Sequence, residues 1–394
     1  LKRVELRVAG VLIILGVIAI AMAAHPCVTY PMSLRLFAPR RRKLIRSNFI
    51  PPSVAVCMCA YNEESVIVAK IEGLLATASA YGPATIHVYI DGASDRTAEL
   101  ATAYRDRIDL VVSRERMGKT HGMNLLLARS SSDFVMFCDA NVIAKPDLLT
   151  KLVAPLADAD IGCTTATLVY SNPEETPTSF AGSLYWAIEE RIKQIEAETV
   201  GVVGVDGASF VIRRSLYQPA PMGLIDDFYV TMKVLIAGQH VGRVDDAVVE
   251  ERSAVDPVEE RVRKQRITCQ ALKVHFALWP EIKRMPGWKF YGYVSHRLMK
   301  WMMPFFLAAS CLFFSAAAIV LFGWPAAAVI AAGIAVVVIA GRLGLPLFGF
   351  VYSAMLSLYG VAAGFVEAIS STETYTVWEP AKSVRSNSST NGLL

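Results

Sequence analysis

An apolar run, Phe134-Val135-Met136-Phe137-Cys138, ends in Asp139-Ala140-Asn141. Such a run reads as a buried strand whose carboxyl end opens into a turn. In an open parallel sheet, ligands gather beyond the carboxyl ends of the strands. An Asp there, with a carboxamide oxygen two positions on, can hold a hard divalent cation on a bound diphosphate. The same residues also suit a plain Asx turn. Two other candidate strand ends carry similar groups. Tyr61-Asn62-Glu63 follows the apolar stretch 54–59, and Asp91-Gly92 follows 85–90. One acid at a strand end is often only a turn former, whereas several converging on one rim of a sheet make a site.

The elements that must position these residues alternate. Strands are expected at 54–59, 85–90, 110–112 and 134–138. Helices are expected at 63–80, 96–104, 121–129 and from Pro146 to 156. Strands alternating with helices imply an α/β unit with a mostly parallel sheet and helices on both faces. A longer helix is expected over 178–200, with Leu184, Ile188, Ile192 and Ile195 as its core face. Two common phosphate cradles are excluded. Met117-Gly118-Lys119-Thr120 looks like the end of a P-loop, but Ser113 stands where that pattern requires glycine. No Gly-x-Gly-x-x-Gly follows the first strand, which argues against a dinucleotide site.

At 394 residues the chain exceeds one ordinary core, and 54% hydrophobic residues is high for a soluble protein. The excess is concentrated in 8–24, 302–340 and 344–369, and roughly 20 apolar residues span a bilayer as a helix. The first stretch reads as a retained anchor or as a signal-peptide core. Arg40-Arg41-Arg42-Lys43 and Arg46 favour the anchor, because basic residues flank the cytoplasmic end of a span. The water-soluble middle domain is then cytosolic and the protein a multi-pass one of the inner or plasma membrane. A net charge of +4, with its basic cluster beside the membrane, points to lipid headgroups and away from nucleic acid. The seven scattered cysteines suggest neither a disulfide framework nor a zinc site. The organisation expected is a transmembrane helix at 1–30 and a basic linker at 31–50. A soluble domain follows at 51–275, then an interfacial aromatic and basic segment at 276–300. Transmembrane helices occupy 301–370, and a tail runs over 371–394, with Trp378-Glu379-Pro380 as a returning arm. Two C-terminal spans would return that arm to the cytosol, and three would leave it outside.

Several motifs stand in one order: Tyr61-Asn62-Glu63; Asp91-Gly92-Ala93-Ser94-Asp95; Gly118-Lys119 with Asn124; Asp139-Ala140-Asn141; Val205-Asp206-Gly207-Ala208 before Arg213-Arg214; Asp226-Asp227-Phe228; and Arg263-Lys264-Gln265-Arg266-Ile267. This set, over 54–270, resembles family 2 glycosyltransferases of GT-A fold, and the flanking spans resemble those of membrane-bound polysaccharide synthases. The resemblance implies a Rossmann-like GT-A cytosolic domain joined to transmembrane and interfacial helices. Asp91 and the Tyr61-Asn62-Glu63 loop would hold the nucleoside, usually uridine, with Lys119 near the donor. Asp139 would bind Mg²⁺ or Mn²⁺, with the uncharged Asn141 in place of a second Asp and weaker metal binding as the cost. Asp227 would be the general base. Asp226 and Asp227 are adjacent, so their mutual repulsion could raise one pKa of the two, and both acids suit a helix N-terminus. Arg263 and Arg266 could clamp the diphosphate, although a solvated or lipid-facing helix also explains such a basic stretch.

The implied activity is inverting, metal-dependent transfer from a UDP-sugar to a glycan or lipid-linked acceptor, in exopolysaccharide or other cell-surface polysaccharide synthesis. A homo-oligomer or polysaccharide-export partners suit that setting. The chain departs from the family's Gln-x-x-Arg-Trp by carrying Arg263 and Ile267 at the Gln and Trp positions. A stacking platform for the acceptor sugar is lost there, which favours single addition or a different acceptor grip. The rival reading is a non-catalytic, membrane-anchored nucleotide-sugar sensor. A transporter is disfavoured, because the apolar segments hold few polar residues.

Overall fold

The computed structural model describes residues 2–40, 51–373, 375–377 and 383. Arg41, Arg42, Lys43, Arg46 and the Trp378-Glu379-Pro380 arm lie outside the described residues. The chain opens with α1 (Lys2–Ala24) and, after a turn, α2 (Thr29–Phe37). The first span therefore ends before 30. Pro26 lacks the N–H needed to continue a helix, and the chain turns around it.

The soluble body follows as β1 (Val54–Ala60), α3 (Ile67–Tyr81), β2 (Ala84–Asp91), α4 (Thr97–Thr102), β3 (Asp109–Ser113), α5 (Lys119–Ala128) and β4 (Phe134–Asp139). Next come β5 (Ile143–Ala144), α6 (Leu148–Val153), β6 (Ile161–Tyr170), α7 (Pro177–Ala197), β7 (Ser209–Arg213), α8 (Asp226–Ile236), β8 (His240–Glu251) and α9 (Pro257–Ile282). The sheet order is β3-β2-β1-β4-β7-β6-β8-β5. The first four strands are parallel, as expected. Beyond β4 the sheet is mixed: β7 is antiparallel to β4 and β6, β8 is parallel to β6, and β5 is antiparallel to β8. The reversal of β7 matters for function. It lays Ala208 beside Asp139, whose N–H donates to the Ala208 carbonyl at 3.3 Å.

Strand β1 is apolar throughout because helices cover both faces. Val54, Val56 and Met58 pack with Ile67, Ile71 and Leu149 on one side. Ala55 and Cys57 pack with Met123, Phe137 and Phe210 on the other.

Helix α7 begins at a capping box between Thr176 and Ser179 with Pro177 in its first turn. Its interior corrects the sequence reading. Ile192 and Ile195 are buried, but Leu184 is 46% and Ile188 41% exposed. Glu189, Glu190, Lys193 and Glu196 are buried instead. Charge partners around the helix explain the inversion. Lys193 Nζ lies 2.7 Å from Asp206 and 2.9 Å from Glu190. Glu196 Oε1 accepts from Tyr30 Oη at 2.7 Å and lies 2.7 Å from His296 Nδ1. Glu189 pairs with Lys300.

After α9 come α10 (Gly287–Gly292), a π-helical turn (Tyr293–Leu298), α11 (Met299–Phe322), α12 (Trp324–Arg342) and α13 (Pro346–Ser370). By length and composition, four helices among the described residues suit a membrane: Lys2–Ala24, Gly287–Phe322, Trp324–Arg342 and Pro346–Ser370. The expected interfacial segment is thus divided, its first part ending α9 and its second running unbroken into α11. Small residues let helices touch. A Cβ at Gly16 of α1 would meet the Phe314 ring, and one at Gly364 of α13 would collide with the Gln265 carbonyl of α9. Gln265 Nε2 donates to Glu367 Oε2 at 2.8 Å. The basic stretch of α9 is therefore wedged between α13 and the soluble body, not solvated.

Candidate active site

Tyr61, Glu63, Asp91, Lys119, Asp139, Asn141, Asp227, Arg263 and Arg266 all line one cavity of about 1080 Å³. Of the residues expected at a site, Asn62 alone is not in its wall.

Asn62 adopts a left-handed backbone (φ 51°), which Asn tolerates better than most residues. Its Oδ1 accepts from Ser94 N–H at 2.8 Å, and its Nδ2 donates to Ser94 Oγ at 3.1 Å. It ties the β1 loop to the β2 loop. Glu63 N–H donates to Thr97 Oγ1 at 2.7 Å, a second tie between the same loops. Arg116 stacks 3.4 Å above the Tyr61 ring. The Asp91 carboxylate is buried and accepts from Met117 N–H at 2.7 Å, from Gly118 N–H at 3.0 Å and from Tyr89 Oη at 3.3 Å. It thereby clamps the backbone that delivers Lys119 to the first turn of α5. Gly118 (φ 91°) has to be glycine twice over, since a Cβ there would also collide with the Thr376 carbonyl.

Lys119 Nζ donates to Asp139 Oδ1 at 2.7 Å and lies 3.9 Å from Asp226 Oδ2. Burial opposes its charge, but Asp139, Asp226 and Asp227 outweigh burial and hold the ammonium well above its ordinary pKa. Asp226 and Asp227 open α8, where the exposed N–H groups favour acids. Burial first, then the neighbouring Asp226, pushes the Asp227 carboxyl up to about 7. Gly207 leaves the gap in which these groups meet. A Cβ there would lie 2.9 Å from Lys119 Nζ, 3.2 Å from Asp139 Oδ2 and 3.3 Å from Asp227 Oδ2.

Helix α9 supplies the cations. Burial, then Arg263, lowers Arg266 to about 10, so it remains charged at neutral pH; its Nη1 donates to Gln270 Oε1 at 3.1 Å. Arg263 Nη1 lies 3.4 Å from Glu260 Oε2.

Several wall residues escaped the sequence reading. Arg116, Glu251, Tyr185 and Trp301 are among them, and Trp186 of α7 lines the cavity as well. Trp301 packs edge-on against Phe228 with ring centroids 6.0 Å apart. An aromatic wall is thus present, although Ile267 cannot supply it. Tyr375, Thr376 and Val377 return to close the cavity from the C-terminal side.

Among the described residues no three carboxylate, imidazole or thiol groups form a metal cluster. The donor set still fits a hard cation of the Mg²⁺ or Mn²⁺ type. Such ions are commonly held by one or two protein oxygens and completed by phosphate oxygens and water. Asp139 Oδ2 faces the gap at Gly207, and Asn141 lies at the same rim.

Comparison with known proteins agrees with this geometry. Residues 55–219 match the sequence model of the family described as glycosyl transferase family 2. An N-acetylglucosaminyltransferase of Rhizobium leguminosarum bv. viciae is 25% identical over 257 residues, 59% of this chain and 60% of that protein. One of Bradyrhizobium diazoefficiens is 24% identical over 258 residues, 60% of this chain and 53% of that protein. The match therefore spans little more than half the length of these relatives. Among solved structures, a mannosyltransferase from Pyrobaculum calidifontis in complex with GDP-Man and Mn²⁺ superposes with a TM-score of 0.71 at 20% identity. That superposition covers 92% of this chain and 100% of that one, and it establishes the fold.

Proposed function

We propose that this chain, which belongs to glycosyl transferase family 2 and has the GT-A fold, transfers a sugar with inversion from a nucleoside-diphosphate donor to an acceptor hydroxyl at a membrane. The observation that carries the reading is the meeting of Lys119, Asp139 and Asp227 around Gly207. An ammonium, a carboxylate fit for a cation and a carboxyl of raised pKa share one small space.

In this mechanism Asp227 takes the proton of the acceptor hydroxyl as its oxygen bonds to the anomeric carbon. The bond from that carbon to the donor diphosphate breaks on the opposite face, so one displacement inverts the centre and leaves no covalent enzyme intermediate. Lys119 and Arg266 stabilise the charge that grows on the diphosphate, and Arg263 reinforces them. A Mg²⁺ or Mn²⁺ held by Asp139 and Asn141 adds further compensation of that charge when bound. Asp91 acts by shaping the loop that presents Lys119, and Tyr61 with Arg116 offers a flat surface to the base.

A UDP-sugar is the proposed donor; the relatives are named for N-acetylglucosaminyl transfer, and the superposed mannosyltransferase holds GDP-Man. The glycan or lipid-linked acceptor approaches along Tyr185, Trp186 and Trp301, where the cavity meets α11. Extension of a cell-surface polysaccharide from the cytosolic face suits that placement. The purified full chain, given Mn²⁺ and a panel of UDP- and GDP-sugars, is expected to release nucleotide from one of them and faster with acceptor than by hydrolysis, and Asp227→Asn is expected to slow that release by about 10²–10⁴. Nucleotide-sugar binding without turnover across the whole panel would favour the sensor instead.

A further inference from the structure

We propose that Glu251 is the positioning residue that makes Asn141 an oxygen ligand for the donor's cation and supplies, from an adjacent strand, the negative charge that Asn141 lacks. The inference rests on the family 2 reading of the cavity. Asn141 Nδ2 donates to Glu251 Oε1 at 3.0 Å. An ionised carboxylate only accepts hydrogen bonds, so it takes the NH₂ end of the carboxamide and leaves the oxygen as the end free for a cation. An Asn without such a partner can present either end.

The contact is built into the backbone. Strand β5 begins two residues after Asn141 and pairs antiparallel with the end of β8, Ile143 opposite Glu250 and Ala144 opposite Val249. This two-residue strand is the outermost of the sheet, and its pairing brings Asn141 to Glu251. Both residues line the same cavity as Asp139.

Charge points the same way. Asp139 already shares its carboxylate with Lys119, so Asp139 and a neutral amide leave little net negative charge for a divalent ion. Glu251 brings a carboxylate a single hydrogen bond away, with Arg263 as its own neighbouring cation. Partners of this kind, one step behind a ligand, commonly change metal affinity by about 10–100-fold.

The test is Mn²⁺ binding to the detergent-solubilised full chain, read by electron paramagnetic resonance, alone and with UDP or GDP. Glu251→Gln is expected to weaken Mn²⁺ binding by about tenfold or more and to broaden the bound-Mn²⁺ spectrum. Moving the charge back with Asn141→Asp in the Glu251→Gln background is expected to restore affinity. The gain from Asn141→Asp is expected to be larger in the Glu251→Gln background than in the wild type, where the new carboxylate would face Glu251, and equal gains in both would mark a purely structural Glu251. Wild-type Mn²⁺ affinity in Glu251→Gln, or no rescue by Asn141→Asp, overturns the proposal. Asp139→Asn separates the two levels. If it abolishes Mn²⁺ binding while Glu251→Gln does not, only the role of Glu251 falls. If it also binds as wild type, the reading of the cavity falls with it.

Discussion

The Lys119 ammonium rests 2.7 Å from Asp139 Oδ1, on the acid proposed to hold the cation. Before a donor arrives, one lysine therefore does for Asp139 what a metal would do. A diphosphate offers Lys119 a second anionic partner, and a shift toward it would free the carboxylate. Lysine and divalent ion are then competitors without donor and allies with it. Lys119→Met is expected to tighten Mn²⁺ binding in the absence of nucleotide, because the competitor is gone. The same variant is expected to lower kcat by about 10²–10³, the usual cost of losing one preorganised charge-stabilising group. Mn²⁺ titration and steady-state kinetics on one preparation check both halves, and unchanged Mn²⁺ affinity would remove the competition.

As the proposed general base, Asp227 is expected to set the pH dependence. A general base works deprotonated, and its carboxyl is pushed from 3.8 up to about 7 by burial and then by Asp226. The rate at limiting donor should rise about tenfold per pH unit below about 7 and level off above it. Asp227→Asn should remove that limb and lower kcat by about 10²–10⁴. The sign for stability is opposite. The folded chain keeps this proton over a range where the unfolded chain has lost it, so the group's cost to folding grows as pH rises from 3.8 to about 7. Asp227→Asn should therefore melt higher than wild type at pH 8 and level with it at pH 4, which a pair of thermal melts decides.

Lys193 is 1% exposed and holds Asp206 and Glu190 at 2.7 and 2.9 Å. Asp206 precedes the Gly207 gap, so this pair ties the floor of the site to α7. Lys193→Met would leave the half-buried Asp206 without its cation, while Glu190 keeps Arg243 at 2.7 Å. Removing one partner of a buried ion pair typically costs about 3–5 kcal/mol. Chemical denaturation of the detergent-solubilised chain should show a loss of that order, and a change below 1 kcal/mol would place Lys193 among ordinary surface pairs.

How much of this was legible in the sequence depends on range. The β1 and β4 runs, and the acids that follow them, were readable because strand pattern and strand-end chemistry are local. Asp139 was found that way and Asp227 through the family resemblance, and the cavity gathers both. What Asp91 touches was not readable, since its partners are backbone amides at Met117 and Gly118. Glu251 was missed because its value depends on the register of β5 against β8, a pairing between segments more than a hundred residues apart. Helix α7 misled for another reason. Periodicity assigns the apolar stripe to the core, but this helix lies between a polar cavity and the cations of α11, so its buried stripe is charged. Trp301 was likewise assigned to a membrane border, although its ring also closes the cavity.

The path of the chain after α13 bears on membrane topology. Gln270 Nε2 donates to the Tyr375 carbonyl at 2.9 Å, Lys273 bonds the Glu373 carbonyl, and Ser383 Oγ donates to Glu259 Oε2 at 2.5 Å. All three partners belong to α9, so the tail shares a side with the soluble body. We propose that α11 crosses away from that side and α12 crosses back, which leaves α13 to begin and end there. Its small face of Gly349, Ser353, Gly360, Gly364 and Ala368 is buried, while Leu347, Tyr359, Val366 and Ile369 are exposed. That pattern suits a helix lying between the body and the bilayer surface, not one crossing it. The expected crossings are α1, α11 and α12. Alkaline phosphatase fused after Gly323 should be active outside the cytosol, whereas fusions after Gly344 and after Ser371 should be inactive. Activity after Ser371 would put the tail across the membrane from Gln270 and break the contact that closes the cavity.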